Sequence, residues 1–311
     1  MSVADSFLFP APDGTEIFVY RWLPDGDPKA VVQIAHGASE HAARYERVAR
    51  RLVGNGYAVY ANDHRAHGRT AGTLDRFGII EPGGWDHIVE DAQRLTAHLS
   101  ETHGRPVFLL GHSMGSLLTQ DYLYRGFGGG LAGSILSGTL SSLPVDLDEL
   151  EANVARELEI QGRDVGSEQF AMLFAEFNDP FVDPDSGEEP TGFEWLSRDP
   201  AEVKAYVDDP WCGGLLTSGF IGDQFGKLQQ LWAPGAVEGV TPKLPMLIVA
   251  GDRDPVGENG EGVRRLAERY RAGGMPVTLK LYPEARHEIF NETNRDEVEQ
   301  DVVDWLNRLV G

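Results

Sequence analysis

The chain has 311 residues, of which 41% are hydrophobic and 24% are charged, and its formal net charge is −22 at pH 7. This length and composition are typical of one large globular domain, or of a core domain that carries an insertion. The negative charge argues against nucleic acid and anionic membrane surfaces as partners. No stretch approaches about 18 consecutive apolar residues, so we expect no membrane-spanning helix.

The N-terminal segment has neither a basic start nor a long apolar stretch, so it is not predicted to be a secretory signal. Cys212 is the single cysteine, which excludes an intrachain disulfide, and no Cys/His cluster has the spacing of a zinc site. We therefore expect a cytoplasmic protein without a metal ion. No feature of the sequence indicates the oligomeric state.

Segments with the patterns of strands and helices alternate along the chain. Strands are predicted at 15–22, 30–35, 57–62, 106–111 and 131–138, with helices at about 41–53, 85–99 and 114–125. Towards the C-terminus the pattern continues as strand 244–251, helix 260–271, strand 277–282 and helix 295–309. Nearly continuous apolar runs separated by helices predict an α/β fold with a mostly parallel sheet buried on both faces.

The segment 145–240 interrupts this alternation. It contains helical fragments and proline-rich loops but no buried strand pattern, and it holds 7 of the 14 phenylalanines and 3 of the 6 tryptophans. Because it lies between two predicted core strands, we expect a helical cap inserted into a core formed by residues 1–144 and 241–311.

Gly111-His112-Ser113-Met114-Gly115 has the pattern G-x-S-x-G and lies directly between a predicted strand and a predicted helix. In this setting the serine occupies a strained turn whose neighbouring positions require glycine, and its hydroxyl is exposed at the carboxyl end of the sheet. The N-terminus of the following helix favours developing negative charge. The pattern predicts Ser113 as a nucleophile, and a chance glycine–serine turn is the alternative.

A nucleophilic serine needs a base, and the base needs an acid that orients it. In α/β-hydrolase folds these residues follow the chain order serine, acid, histidine. Of the nine histidines only His287 follows Ser113, so we predict His287 as the base.

Two carboxylates at the end of the predicted strand 244–251 compete for the role of the acid. They are Asp252 and Asp254, and Glu258 is a more distant candidate. Asp252 is better suited to capping the turn next to Gly251, but spacing alone leaves the choice open.

An oxyanion hole needs two backbone N–H donors. One is expected from Met114, the residue after the nucleophile, and the other from the loop that follows strand 30–35. That loop begins His36-Gly37-Ala38, where the glycine lets the backbone turn, so we predict Ala38 as the second donor.

Several short segments together resemble one family. HGASEHAARY, NDHRAHGRT, GHSMGS, ILSG, GDRD and RHEIFNE are similar to the monoacylglycerol lipases and lysophospholipases among the α/β hydrolases, from about residue 14 to the C-terminus. The resemblance implies Ser113 as nucleophile, Asp254 as acid, His287 as base, and Ala38 and Met114 as the oxyanion donors. It also implies cleavage of single-chain acyl esters through an acyl-enzyme, without a cofactor.

The predicted cap is strongly acidic, which does not suit a binding site for anionic phospholipids. Segment 145–240 contains 21 acidic and 5 basic residues, a net charge of −16. Such a cap should repel anionic headgroups, although a surface that only increases solubility is the alternative.

The apolar residues of the cap are candidates either for its own core or for a substrate pocket. We expect about a third of the following set to face the pocket: Phe170, Leu173, Phe174, Phe177, Trp211, Leu215, Leu216 and Phe220. Among them we predict Phe174, Trp211, Leu216 and Phe220 as substrate-binding.

The expected activity is therefore hydrolysis of a small-molecule acyl ester of the monoacylglycerol or lysophospholipid type. Two alternatives remain: a serine aminopeptidase or amidase on the same scaffold, and a ligand receptor with negligible turnover. His64 and His67 are expected to hold loops together rather than to bind a metal, and Cys212 to be a buried small hydrophobe.

Overall fold

The structure is a computed structural model and describes residues 5–143, 146–182, 185, 187, 189–233 and 235–311. Eight strands form its central sheet: Asp5–Pro10 (β1), Glu16–Trp22 (β2), Val31–Ala35 (β3), Ala58–Asn62 (β4), Val107–His112 (β5), Gly133–Ser137 (β6), Met246–Gly251 (β7) and Val277–Tyr282 (β8). The strand order is β1-β2-β4-β3-β5-β6-β7-β8. Strands β3 to β8 are parallel, whereas β1 and β2 are antiparallel to their neighbours.

Helices cover both faces of the sheet. In chain order they are Glu46–Gly54 (α1), Gly68–Ala71 (α2), Gly84–His103 (α3), Met114–Tyr124 (α4), then four helices between β6 and β7, and finally Glu261–Ala272 (α9) and Arg295–Val310 (α10). Ile88, Leu118 and Leu266 belong to the apolar cluster on one face, and Leu52 and Leu306 to the cluster on the other. Each such side chain contributes about 1.5–3 kcal/mol when fully buried.

The segment between β6 and β7 is helical. Its helices are Leu147–Gln161 (α5), Glu168–Asn178 (α6), Pro200–Asp208 (α7) and Ser218–Leu231 (α8). Each begins where a side-chain oxygen caps free backbone N–H groups, and the capping residues are Asp146, Ser167, Asp199 and Thr217. No strand of the sheet lies among the described residues of this segment. The predicted boundary of the cap falls at residues 144 and 145, which lie outside the described residues.

The predicted fold class is confirmed, since the sheet is mostly parallel and helices flank it. The predicted strands and helices recur with their ends shifted by a few residues. Strand β1 was not predicted. It lies at the edge of the sheet with most of its side chains exposed or half-buried, so its sequence lacks the apolar run of a central strand. In the described part of the chain, no helix is long and apolar enough to cross a membrane.

Candidate active site

Ser113 occupies the sharp turn between β5 and α4. Its backbone angles, φ 51° and ψ −118°, are sparsely populated by residues with a Cβ and cost about 1–3 kcal/mol. The turn is held because the Ser113 N–H donates to the Ser137 carbonyl oxygen over 2.9 Å. A side chain on Gly115 would overlap the backbone carbonyl of Ala35. The glycine therefore lets α4 approach β3 closely enough for the turn to form.

His287 and Asp254 form a buried pair at the carboxyl ends of β8 and β7. The Nδ1 atom of His287 lies 3.0 Å from each carboxylate oxygen of Asp254. The carboxylate is fully buried, and it also accepts a 3.0 Å hydrogen bond from the Val256 N–H. Because an ionised carboxylate can only accept, Nδ1 must carry the proton, which leaves Nε2 of the neutral ring as an acceptor.

The surroundings of His287 set its basicity. Burial lowers its pKa, but the charge and the hydrogen bond of Asp254 outweigh this effect and raise the pKa above its ordinary value of 6.5. The Trp195 ring lies 4.8 Å from the His287 ring between centroids, and its carbonyl oxygen accepts the His287 N–H over 3.3 Å. The segment between β6 and β7 therefore contacts this histidine directly, a contribution that we did not predict from the sequence.

Two backbone N–H groups lie beside Ser113. Ala38 and Met114 line the same cavity as the serine. Met114 is the first residue of α4, so its N–H has no acceptor within the helix. The N–H of Ala38 has no acceptor among the described residues, whereas the Gly37 N–H donates to Glu40 Oε1 over 2.6 Å. The two residues expected to supply the oxyanion donors thus line one cavity with Ser113.

The cavity above Ser113 is almost entirely apolar. Helix α6 contributes one face at helical spacing, and α8 contributes a second. The residues that line it are Ala38, Ser113, Met114, Leu117, Leu140, Leu143, Phe170, Leu173, Phe174, Phe177, Trp195, Gln224, Phe225, Leu228 and Val256. Only Ser113 and Gln224 in this set are polar, which is typical of a site for an apolar ligand.

Of the four predicted substrate-binding residues, the structure places Phe174 at this cavity. Leu216 and Phe220 are buried elsewhere, and the Phe220 ring packs 5.5 Å from the His67 ring. Trp211 lies in the loop between α7 and α8 and is not among the lining residues. Three further members of the predicted apolar set do line the cavity: Phe170, Leu173 and Phe177.

A buried ionic network lies behind the site. Arg44 donates to Glu40 Oε2 over 2.6 Å, and to the two carboxylate oxygens of Glu288 over 2.6 and 2.8 Å. Because Glu40 also accepts the Gly37 N–H, the network connects the Ala38 loop with the residue after His287. The network could not be predicted from spacing, because Glu40 and Glu288 are 248 positions apart in the sequence. The motifs that contain them, HGASEHAARY and RHEIFNE, were the only signal for it.

His64 and His67 lie under the Ala38 loop. Burial is the main cause that lowers the pKa of His64 to about 3 and that of His67 to about 4, so both rings are neutral near pH 7. The backbone N–H of His64 donates to Nε2 of His36 over 2.9 Å. The ring of His36, at the start of that loop, lies 4.1 Å from the His64 ring and 5.2 Å from the His67 ring between centroids.

A strained serine turn after a central strand of a mostly parallel sheet, with a buried His–Asp pair at the carboxyl ends of two further strands of that sheet, is the arrangement of an α/β hydrolase. Residues 26–294 match the Hydrolase_4 family, described as serine aminopeptidase, S33. The chain belongs to this family.

Several proteins similar to this chain are named as lipases or esterases. The chain is 32% identical to a monoacylglycerol lipase of Mycolicibacterium smegmatis over 98% of both chains. It is 31% identical to the monoglyceride lipase of Homo sapiens over 96% of this chain and 88% of the relative. A carboxyl esterase from Bacillus coagulans, solved in complex with glycerol, superposes with a TM-score of 0.90 at 27% identity and full coverage of both chains. The predicted resemblance is confirmed, and the chain is a carboxylic ester hydrolase.

Proposed function

We propose that the chain hydrolyses uncharged monoacyl esters, and monoacylglycerols above all, through an acyl-enzyme on Ser113. The observation that carries the proposal is the apolar cavity that Ser113 lines. Helices α6 and α8 supply aromatic and aliphatic side chains suited to one acyl chain, and the polar headgroup would remain towards solvent. Monoacylglycerol lipases among the relatives support the same substrate class.

In this proposal each residue has one task. Ser113 Oγ attacks the ester carbonyl while His287 Nε2 takes the serine proton, and Asp254 holds the histidine tautomer and stabilises the imidazolium. The N–H groups of Ala38 and Met114 stabilise the oxyanion. The imidazolium then returns the proton to the departing alcohol. Water, deprotonated by the same histidine, attacks the acyl-enzyme and releases the carboxylic acid and the free serine.

The aminopeptidase alternative makes a different demand on the cavity. A substrate with a free amine needs a carboxylate near the scissile bond, because a buried ammonium group must be paired. None of the described residues that line the cavity is acidic. The cavity thus favours acyl esters over amino-acyl amides, and none of the described acidic residues of segment 145–240 lines it.

A substrate panel tests the proposal. We expect kcat/KM to be highest for medium- or long-chain monoacylglycerols, lower for lysophosphatidylcholine, and negligible for amino-acyl p-nitroanilides. Ser113→Ala should lower kcat by at least about 10⁴-fold with an unchanged Tm, since the fold and the oxyanion donors remain. Faster turnover of the anilides, or a variant that keeps a tenth of the rate, would overturn the proposal. An absent acylation burst with a p-nitrophenyl ester would favour the receptor alternative.

We also infer a cytoplasmic location. The chain has a single cysteine, Cys212, which fits a compartment where structural disulfides are rare. Fractionation of the native host, with the protein followed by an antibody, tests this; recovery in the extracellular or periplasmic fraction would contradict it.

A further inference from the structure

A cluster of possible metal ligands lies where the loop after β3 meets the turn between α7 and α8. Its residues are not among those that line the Ser113 cavity. His41 Nε2 is 2.9 Å from Asp209 Oδ2. One ligand atom each from His41, Asp209 and Cys212 lies within 4.8 Å of the other two. All three side chains are half-buried, so they are sheltered but reachable from solvent.

The backbone of the turn presents two of these groups together. The Cys212 N–H donates to the Asp209 carbonyl oxygen over 3.0 Å, which closes a tight turn. The Trp211 N–H donates to Asp209 Oδ1 over 2.9 Å and fixes the carboxylate, so that Oδ2 faces His41. The carboxylate and the thiol are therefore positioned by the fold, and a ligand would not have to assemble them.

The electrostatic environment of the cluster is negative. Asp209 belongs to the cluster, and the carboxylates of Glu40 and Glu288, which share the single guanidinium of Arg44, also act on the Cys212 thiol electrostatically. Three carboxylates against one guanidinium leave an excess of negative charge around the thiol. Such an excess attracts a dication, which would displace the thiol proton to solvent and bind the thiolate.

We propose that His41, Asp209 and Cys212 bind one divalent cation of the Zn²⁺ class, with water as the fourth ligand. Imidazole nitrogen, carboxylate oxygen and thiolate sulfur are the ligands that Zn²⁺ prefers, whereas Mg²⁺ and Ca²⁺ prefer oxygen alone. Small movements would bring the three atoms to bonding distance, with the ion replacing the present His41–Asp209 hydrogen bond. The ion takes no part in ester cleavage, so the site is independent of the proposed substrate.

The position of the site gives the ion a structural effect. The Ser39 carbonyl oxygen accepts hydrogen bonds from the Tyr206 hydroxyl over 2.8 Å and from the Gly213 N–H over 2.9 Å. The Ser39 hydroxyl donates to the Gly214 carbonyl oxygen over 2.7 Å. An ion at the adjacent cluster would replace the His41–Asp209 hydrogen bond, which already connects this turn with the loop that carries Ala38, by metal bonds to three residues, and so raise the stability of the folded chain.

Cobalt titration of the metal-free protein tests the proposal, with Mg²⁺ in excess to fill exposed carboxylates. We expect one equivalent of Co²⁺ to bind and to produce the near-ultraviolet charge-transfer absorption of a thiolate–Co²⁺ bond. Because the chain has one cysteine, that absorption can come only from Cys212. Zn²⁺ should abolish the absorption by competition, protect the thiol from alkylation and raise the Tm.

Variants make the test specific. Cys212→Ser should lose the absorption, and His41→Gln should weaken Zn²⁺ binding by more than about tenfold, since a ligand is removed. Asp208→Asn is the matched control and should bind as the wild type does, because Asp208 is exposed and pairs with Lys204. Saturation with Co²⁺ without the thiolate absorption, or equal Zn²⁺ affinity in Cys212→Ser and the wild type, would overturn the proposal and show binding at exposed carboxylates only. If His41→Gln fails to fold, the absorption in the wild type and in Cys212→Ser still decides.

Discussion

Asp252 and Asp254 are two positions apart in the sequence but have different hydrogen-bond partners. Asp254 accepts from His287 Nδ1, whereas Asp252 Oδ1 accepts the Glu284 N–H over 2.7 Å. Asp252 thus ties the end of β7 to the turn after β8, and only Asp254 faces the histidine. In the sequence, only the turn preference of Asp252 and the family resemblance distinguish the two as candidates for the acid. In the structure, they differ in the hydrogen bonds that they accept.

Substitution of the two aspartates should therefore have unequal effects. Asp254→Asn should lower kcat by about 10⁴-fold, because an amide can hold the wrong tautomer of His287 and cannot stabilise the imidazolium. Asp252→Asn serves as the matched control and should keep kcat within about tenfold of the wild type, since it loses a turn contact only. Steady-state kinetics with one uncharged ester measures both. If Asp252→Asn were the more damaging variant, the assignment of the acid would be wrong.

The raised pKa of His287 predicts where activity is lost on the acid side. The base must be neutral to accept the serine proton, so kcat/KM should fall as pH drops through a value above 6.5. In Asp254→Asn the raising charge is absent, and the acid limb of the residual activity should move to lower pH. Rates for an uncharged ester between pH 5 and pH 9 provide the measurement. Activity that rises steadily from pH 8 to pH 5 would contradict a histidine base.

At the scale of elements, Arg44 connects the short turn before α1 with the loop after β8. Burial raises the pKa of Glu288, but the neighbouring guanidinium outweighs it and holds the pKa at about 2. Glu40 is buried as well, so the two carboxylates depend on one cation for their compensation. Loss of that cation would leave two like charges in a poorly solvated site.

Arg44→Leu should therefore destabilise the protein by about 3–5 kcal/mol at pH 7. Urea unfolding of the variant measures the free energy, and the deficit should shrink as pH falls towards 5, because protonation removes the uncompensated charges. Lys204→Ala is the control: its ion pair with Asp208 is exposed, and its loss should cost less than about 1 kcal/mol. If Arg44→Leu lowered the free energy of unfolding as little as the control does, water would have to solvate the two carboxylates of the network.

The elements also show which features a sequence can predict. The face of α6 was readable because Phe170, Leu173, Phe174 and Phe177 recur at the spacing of one helical surface. The spacing of apolar residues identifies an apolar helix face, but it does not show whether that face packs against the core or lines a cavity. Leu216, just before α8, and Phe220, in the first turn of α8, are equally apolar but pack in the core. Trp195, whose ring contacts that of His287, lies in a 3₁₀ helix of three residues, which is too short to show a period.

At the scale of the whole molecule, the negative charge and the cavity are separate features. Helix α5 carries five acidic residues and one arginine, and it packs against α6 and α8, which line the cavity. None of the described lining residues is charged. The described acidic residues of this segment therefore act on a substrate in the cavity through space rather than by contact. The net charge can be counted from the sequence, but the position of the charged residues relative to the cavity is known only from the structure.

This arrangement predicts selectivity by substrate charge. At about 10 mM salt, where the Debye length is about 30 Å, a neutral monoacylglycerol should have a higher kcat/KM than lysophosphatidic acid of the same acyl length. At about 500 mM salt the Debye length falls several-fold, and the ratio of the two rates should narrow. All substrates are kept below the concentrations at which they form micelles.

Lysophosphatidylcholine separates charge from headgroup size, because it has a phosphate but no net charge. Its rate should change little with salt, whereas the rate for lysophosphatidic acid should rise, since screening removes the repulsion felt by an approaching anion. If the two phospholipids respond to salt equally, or if the monoacylglycerol shows no advantage at low salt, the acidic residues do not influence substrate approach. They would then act on solubility alone, and the shape of the cavity formed by α6 and α8 would have to account for any preference among headgroups.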